Sequence, residues 1–249
     1  MTVAHVRAAA HIHSDWSDDG SWTLPDLAAA FAGKGYDLLL MSEHSRGLTA
    51  DVWQAFRASC AEASSPDLLV VPGLEYNDPD NVVHMLVWGD VPFYGETPDI
   101  GAMLPAVVAD GGVAVLAHPW RRQAFERVGD DWYAHLTAVE LWNRKYDGWA
   151  PNRSAAELAG AHGLPAFAGL DFHRSRQFFP LAVDVEVPAP VADGLTPEAV
   201  VEALRSRRFV SRYRGRPAGE LVDGLAGQAA VGAEAVRKVL ARGARALGR

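Results

Sequence analysis

Short, almost wholly apolar runs recur along this chain at the spacing of one strand and one helix. They fall at 3–10, 36–42, 67–74, 82–88, 113–117, 138–141 and 165–170, with a further run at 181–187. A strand that is apolar at consecutive positions, instead of alternate ones, must be covered on both faces. Between most of the runs the apolar residues take the helical period, as at 24–33, 49–64, 100–110 and 152–162, and a Gly or Ser-Ser-Pro closes each segment. Strand and helix alternating in this way predict an α/β protein built on a parallel sheet.

What stands at the ends of the runs narrows the architecture. His11-Ile12-His13 follows the first, Glu43-His44 the second and Glu75 the third. His84 lies in the fourth, His118-Pro119 ends the fifth, and Asp171 and His173 follow the last of the seven. Two histidines two apart on an extended segment share a face, so both rings reach one ion. Alone, such a pair reads as packing. With six of the nine histidines at run ends, the joint reading is a metal site, and His5, His135 and His162 remain as surface or packing residues. Only a ring brings so many strand ends to one point, so a closed or nearly closed barrel is expected, with its chemistry at the C-terminal ends of the strands.

Composition excludes several classes of function. The formal net charge of −8 argues against a general nucleic-acid footprint. The single cysteine, Cys60, allows no internal disulfide and fits a reducing compartment. No apolar run approaches the roughly 18 residues of a membrane span, and a cytoplasmic location is the default expectation. Pro-rich 187–197 and Gly/Ala-rich 218–232 are the candidate linkers, giving a barrel over 1–215 and a helical extension over 216–249, with an amphipathic helix at 233–247.

Mixed imidazole and carboxylate donors without thiolates suit Zn²⁺, Mn²⁺ or Fe²⁺ in an open, catalytic site. A carboxylate such as Glu75 can bridge two ions that hold a water or hydroxide of lowered pKa, which supplies a nucleophile without Ser or Cys.

His11-Ile12-His13 with Ser17-Asp18-Asp19-Gly20, Glu43-His44, Gly73-Leu74-Glu75, His84, Ala117-His118-Pro119 and Gly169-Leu170-Asp171-Phe172-His173 together resemble the four motifs of the PHP (polymerase and histidinol phosphatase) superfamily. The wording around Trp16 and the closing 203–211 resemble its small stand-alone metal-dependent phosphoesterases and CehA-McbA-like metallohydrolases, which are akin to carbamate hydrolases. The resemblance covers residues 5 to about 212. It implies a distorted (β/α)7 TIM-like barrel with two or three divalent metal ions. One ion would take His11, His13, Glu75 and Asp171; a second would share Glu75 and take His84 and His118. A third would take Asp18, or its neighbour Asp19, with His44 and His173. Glu43 stands where many members carry Asp, and is expected to orient His44 or the attacking water.

Activity is then expected on a small-molecule substrate carrying a phosphoester, with amide, carbamate or ester hydrolysis as the alternative and a non-catalytic metal-binding scaffold as a second. Nucleic acid is expected at most as a nucleotide or short oligonucleotide substrate. Arg144 and Arg174 are the candidate cations for substrate charge, with Arg121, Arg122, Lys145 and Arg176 also in loops after run ends. Trp16, Trp22, Trp120, Trp142 and Trp149 lie in or near the same loops, and an aromatic rim of that kind would suit an organic substrate.

Overall fold

The computed structural model describes residues 3–188 and 194–222, together with Gly232, Glu234 and Val236. The first six strands are β1 (Val3–Ile12), β2 (Leu38–Met41), β3 (Glu43–His44), β4 (Leu69–Val71), β5 (Gly73–Asn77) and β6 (His84–Trp88). They are followed by β7 (Val113–Ala117), β8 (Ala138–Asn143), β9 (Ala166–Gly169), β10 (Leu181–Pro188), β11 (Phe209–Tyr213) and β12 (Arg216–Pro217). The helices are α1 (Leu24–Ala32), α2 (Ala50–Ala63), α3 (Ile100–Ala109), α4 (Arg153–Ala161) and α5 (Pro197–Arg205). The side chains of Thr23, Thr49, Asp99, Asn152 and Thr196 cap the five in turn, each accepting a backbone N–H of the first turn. The helix expected at 233–247 lies outside the described residues apart from Glu234 and Val236.

Among the described residues the strands form two six-stranded sheets, β12-β11-β10-β1-β2-β4 and β3-β5-β6-β7-β8-β9. Both are mixed, which corrects the expected parallel sheet: β5/β6, β6/β7, β1/β10 and β10/β11 pair antiparallel. The reason for the first reversal lies in the loop. A parallel pair needs a crossover of about a dozen residues. The polar turn 78–83 is too short for one, so β6 returns as a hairpin.

Two of the apolar runs expected as single strands lead from one sheet into the other, the first through the Glu43-His44 that follows it and the second within its own span. At 36–42 the ladder passes from β2 to β3 across Ser42, and at 67–74 it passes from β4 to β5 across Pro72. Proline has no N–H to offer a ladder. Ser42 N donates to Ile12 O at 2.8 Å, the last bond of the β1/β2 ladder before the chain passes to β3. The sheets also meet at the end of β1, where Leu170 N donates to Ala10 O (2.9 Å), Phe172 N to His11 O (3.0 Å) and His13 N to Phe172 O (2.9 Å).

The residues of β2 account for the apolar runs. Leu39 and Met41 belong to the large core between helices and sheets, with Phe31, Phe56, Tyr76 and Phe172. Leu38 and Leu40 point the other way into a second core with Ala8, Ala10, Trp88, Val115 and Phe167. Cys60 is fully buried in the first core, as a small apolar residue on α2. No described helix is long and apolar enough to cross a membrane.

Candidate metal centre

The ends of these strands bring together every residue of the resemblance's first two ligand sets. Glu75, in the middle of β5, lies at the focus. Its Oε1 is 3.5 Å from His11 Nε2, 2.6 Å from His84 Nδ1 and 2.9 Å from His118 Nε2. Its Oε2 is 3.5 Å from both His13 Nε2 and His44 Nε2. Asp171 Oδ1 is 3.8 Å from His13 Nε2, and Asp171 Oδ2 is 3.9 Å from His118 Nε2. The antiparallel direction of β6 is what carries His84 here: it opens its strand and so meets the rim at which the others end.

The backbone is bent to do this. His11, His118 and Asp171 have positive φ values of 60°, 26° and 47°, in a region that non-glycine residues adopt only where the surroundings hold them. At His11 this coincides with a register shift between β1 and β2, so the pair His11 and His13 leaves the regular alternation of a strand. Gly169 makes room beside it. A Cβ there would lie 2.0 Å from Glu140 Oε1 and 2.7 Å from His11 Cβ, so the position admits only glycine.

Buried carboxylates behind the histidines set which nitrogen faces inward. A carboxylate only accepts hydrogen bonds. Glu140 therefore takes the Nδ1–H of His11 at 3.0 Å, and also accepts His118 N at 2.8 Å and Asn143 Nδ2 at 3.0 Å. Nε2 of His11 is left directed at Glu75 without a hydrogen-bond partner. His13 is arranged in the same way through a hydroxyl. Ser17 Oγ donates a short hydrogen bond to Glu43 and accepts His13 Nδ1 at 3.2 Å and His44 N at 3.0 Å. Nε2 of His13 is likewise buried and unpartnered. Glu43, which also accepts Ser14 N and Ser14 Oγ at 2.8 and 2.6 Å, thus reaches the His13 ring and the His44 backbone through Ser17.

Electrostatics match a centre built for cations. Burial alone would raise the pKa of Glu75, but the His84 and His11 charges beside it and the hydrogen bond from His118 hold it well below the usual carboxylate range. Burial opposes charge on His11 too, yet the surrounding Glu140, Asp171 and Glu75 hold its pKa well above the usual value, so a proton stands in for a metal charge. His13 is the opposite case: burial, with His173 and His44 beside it, pushes it well below 6.5 and leaves the ring neutral. His44 is raised to about 9 against burial, by hydrogen bonding and charge from Glu75 and then by Asp18. Two buried acids, converging imidazoles and orphaned Nε2 atoms fit divalent ions.

The outer residues divide between neighbours. His44 Nδ1 is 2.7 Å from Asp18 Oδ1, whereas His173 Nε2 is 2.9 Å from Asp19 Oδ1. His13, His44 and His173 offer ligand atoms within 4.8 Å of one another. Asp18 and Asp19 therefore both belong to the site, one on each histidine.

The pocket above the centre has a volume of about 120 Å³. Its basic side chains are Arg46, Arg121 and Lys145, with Tyr146 beside them. Arg144 and Arg174 are elsewhere: the guanidinium of Arg144 lies 4.9 Å over Phe179, and Arg174 is exposed at the start of a short turn held by Gln177. The tryptophans form no rim. Trp142 is fully buried, Trp22 packs on Phe172 and Phe178, Trp16 on Phe56, and Trp120 stacks on Phe125. Trp149 is exposed, and like the others it is absent from the pocket's described lining. Sequence reasoning passed over Glu140 and Asn143 behind the histidines and Arg46 and Tyr146 in the pocket; for the first two the only signal was a carboxylate inside the apolar run 138–141.

The fold and this centre define a mixed α/β protein with a His/Glu/Asp metal-type site. No protein-family model matches the chain, and no curated protein matches it in sequence. Solved structures do match it in fold. A two-domain protein from Bacteroides vulgatus containing a predicted PHP-like metal-dependent phosphoesterase superposes with a TM-score of 0.62 at 15% identity, over 85% of this chain and 65% of that one. A lesion-specific endonuclease from Pyrococcus furiosus gives 0.58 at 17% identity, over 82% of this chain and 56% of that one. An amidohydrolase from Chromobacterium violaceum gives 0.51 at 16% identity, over 82% and 97%. The chain thus spans under two thirds of the first two, and the likeness at these identities is one of fold.

Proposed function

We propose that the chain is a metal-dependent hydrolase of the PHP superfamily and that its substrates are phosphoesters. The observation that carries the metal reading is the pair of buried, unpartnered Nε2 atoms of His11 and His13 aimed at Glu75 and Asp171. We read the two sheets as a distorted seven-stranded TIM-like barrel. The chain crosses between them at Ser42 and Pro72, and hydrogen bonds from β1 to residues 170–172 link them on the other side, which supports that reading. His11, His13, Glu75 and Asp171 would hold one ion; Glu75, His84 and His118 would hold a second. Ions of the Zn, Mn or Fe kind supply Lewis acidity and a nucleophile from water at neutral pH.

The chain's own residues do the rest. Glu140 and, through Ser17, Glu43 keep the histidine tautomers that present Nε2. Arg121 is held in one direction by Tyr146 Oη, 3.0 Å from its Nε, and Asn81 O, 2.8 Å from its Nη1. Lys145, Arg121 and Arg46 line the mouth and meet negative charge on the substrate.

That lining favours a phosphoryl group. Transfer spreads negative charge over the nonbridging oxygens, and fixed cations stabilise it. A pocket of about 120 Å³ without a tryptophan wall is well below the roughly 300–1,000 Å³ usual for organic ligands. The second reading, amide or carbamate hydrolysis, rests on the fold likeness to the amidohydrolase. The deciding experiment reconstitutes the purified chain with Mn²⁺ and compares aryl phosphates and phosphodiesters with aryl esters and carbamates. Turnover of phosphates is expected. Turnover of esters or carbamates with none of any phosphate would overturn the phosphoester assignment.

A further inference from the structure

The outer end of the centre already contains cations that belong to the chain. Lys145 Nζ lies 3.0 Å from Asp171 Oδ1, 3.4 Å from His173 Nε2 and 4.0 Å from Asp19 Oδ2. It is aimed by a built turn: Asn143 Oδ1 accepts Lys145 N at 3.0 Å, while Asn143 Nδ2 is tied to Glu140 and Asp171 at 3.0 and 3.2 Å. On the other side Arg46 Nη2 is 3.1 Å from Asp18 Oδ2, whose partner oxygen faces His44.

Acidic and imidazole groups crowd this point. His173 Nδ1 is 3.0 Å from the backbone oxygen of Asp171, which can only accept, so Nδ1 carries a hydrogen and Nε2 is the atom turned to the outer side. There Nε2 lies 2.9 Å from Asp19 Oδ1 and 3.4 Å from Lys145 Nζ, so the ammonium already stands where His173, Asp19 and Asp171 meet. An ammonium with three hydrogens can serve Asp171, His173 and the Asp19 side together, as a metal ion would.

We propose that Lys145 takes the place of a third metal ion, so that the loaded centre holds two ions and the substrate's anionic group meets an ammonium at its outer side. The inference rests on the metal reading above and goes beyond it. The test reconstitutes metal-free protein with excess Mn²⁺, removes loose ion by gel filtration, and counts metal per chain by mass spectrometry. It is applied to wild type, Lys145→Arg and Lys145→Met, with anomalous scattering from crystals of the Mn²⁺-loaded wild type. Two ions are expected in wild type and Lys145→Arg, and three in Lys145→Met, the new one among His44, His173 and Asp18 or Asp19. A third ion in wild type or Lys145→Arg, or only two in a folded Lys145→Met, overturns the proposal. Should Lys145→Met not fold, the wild-type map decides: two peaks with Nζ on Asp171 and His173 support it, and three peaks sink it. Fewer than two ions in wild type would instead remove the metal reading itself, and the proposal with it.

Discussion

Replacing Glu140 by glutamine changes one oxygen to NH₂ in a fully buried side chain, and the surroundings dictate where the new donors go. Glu140 Oε2 accepts two donors, His118 N and Asn143 Nδ2, while Oε1 accepts one, His11 Nδ1. If the amide put its NH₂ against the first pair, buried donors would face donors, at about 1–3 kcal/mol for each unsatisfied group. Facing His11 is cheaper. His11 Nδ1 must then accept, which leaves the ring with its one hydrogen on Nε2, the atom directed at Glu75. A metal ion can displace that hydrogen only by forcing Nδ1–H against the amide NH₂, which costs one charge-assisted buried hydrogen bond, about 1.5–3 kcal/mol. The expected consequence is metal binding weaker by about 10–100-fold, in line with the loss of partners behind ligating histidines elsewhere. The assay is competition for Zn²⁺ or Mn²⁺ against a chelator of known affinity, with thermal unfolding of the metal-free protein as the control for folding. Unchanged metal affinity in a folded Glu140→Gln protein would refute the tautomer argument.

Gly169→Ala forces a Cβ into contact with Glu140 and His11, both fully buried, so overpacking of about 1–3 kcal/mol is expected. In a domain of this size that lowers Tm by roughly 2–12 °C, and calorimetry giving no shift would contradict the close approach. Asp147 supplies the pH dependence. Burial pushes its carboxyl up to about 6, despite hydrogen bonds from Asn143 N and Asn152 Nδ2. The folded state therefore holds this proton more tightly than the unfolded chain, and its contribution is full below pH 4 and lost as pH rises through 6. At about 1.4 kcal/mol per unit the loss by pH 7.5 is on the order of 3 kcal/mol. Asp147→Asn should gain on wild type in urea unfolding between pH 5 and pH 7.5; a constant difference across that range would count against it.

Much of the site was legible because metal-type side chains at the ends of apolar runs are a chemical pattern. His11, His13, His44, Glu75, His84, His118, Asp171 and His173 do converge. Glu140 was not legible, since a lone carboxylate in an apolar strand has no visible partner until His11, 129 residues away, lies against it. Asp18 and Asp19 could not be separated because adjacent residues differ only in direction, and direction is set by His44 and His173. The loop cations could not be ranked for the same reason: Arg121 points into the pocket and Arg144 onto Phe179.

Local patterning by itself determined the α/β class, the doubly buried strands, the helices with their caps, and the donor set of the centre. These depend on periodicity and residue chemistry, which are properties of neighbours in the chain. Tertiary structure alone decided the passage of two runs from one sheet into the other, the reversal of β6, the positive φ at His11, His118 and Asp171, and the placing of Lys145 among the acids. Each of these is settled by hydrogen bonds and contacts between residues far apart in sequence, where no local preference reaches.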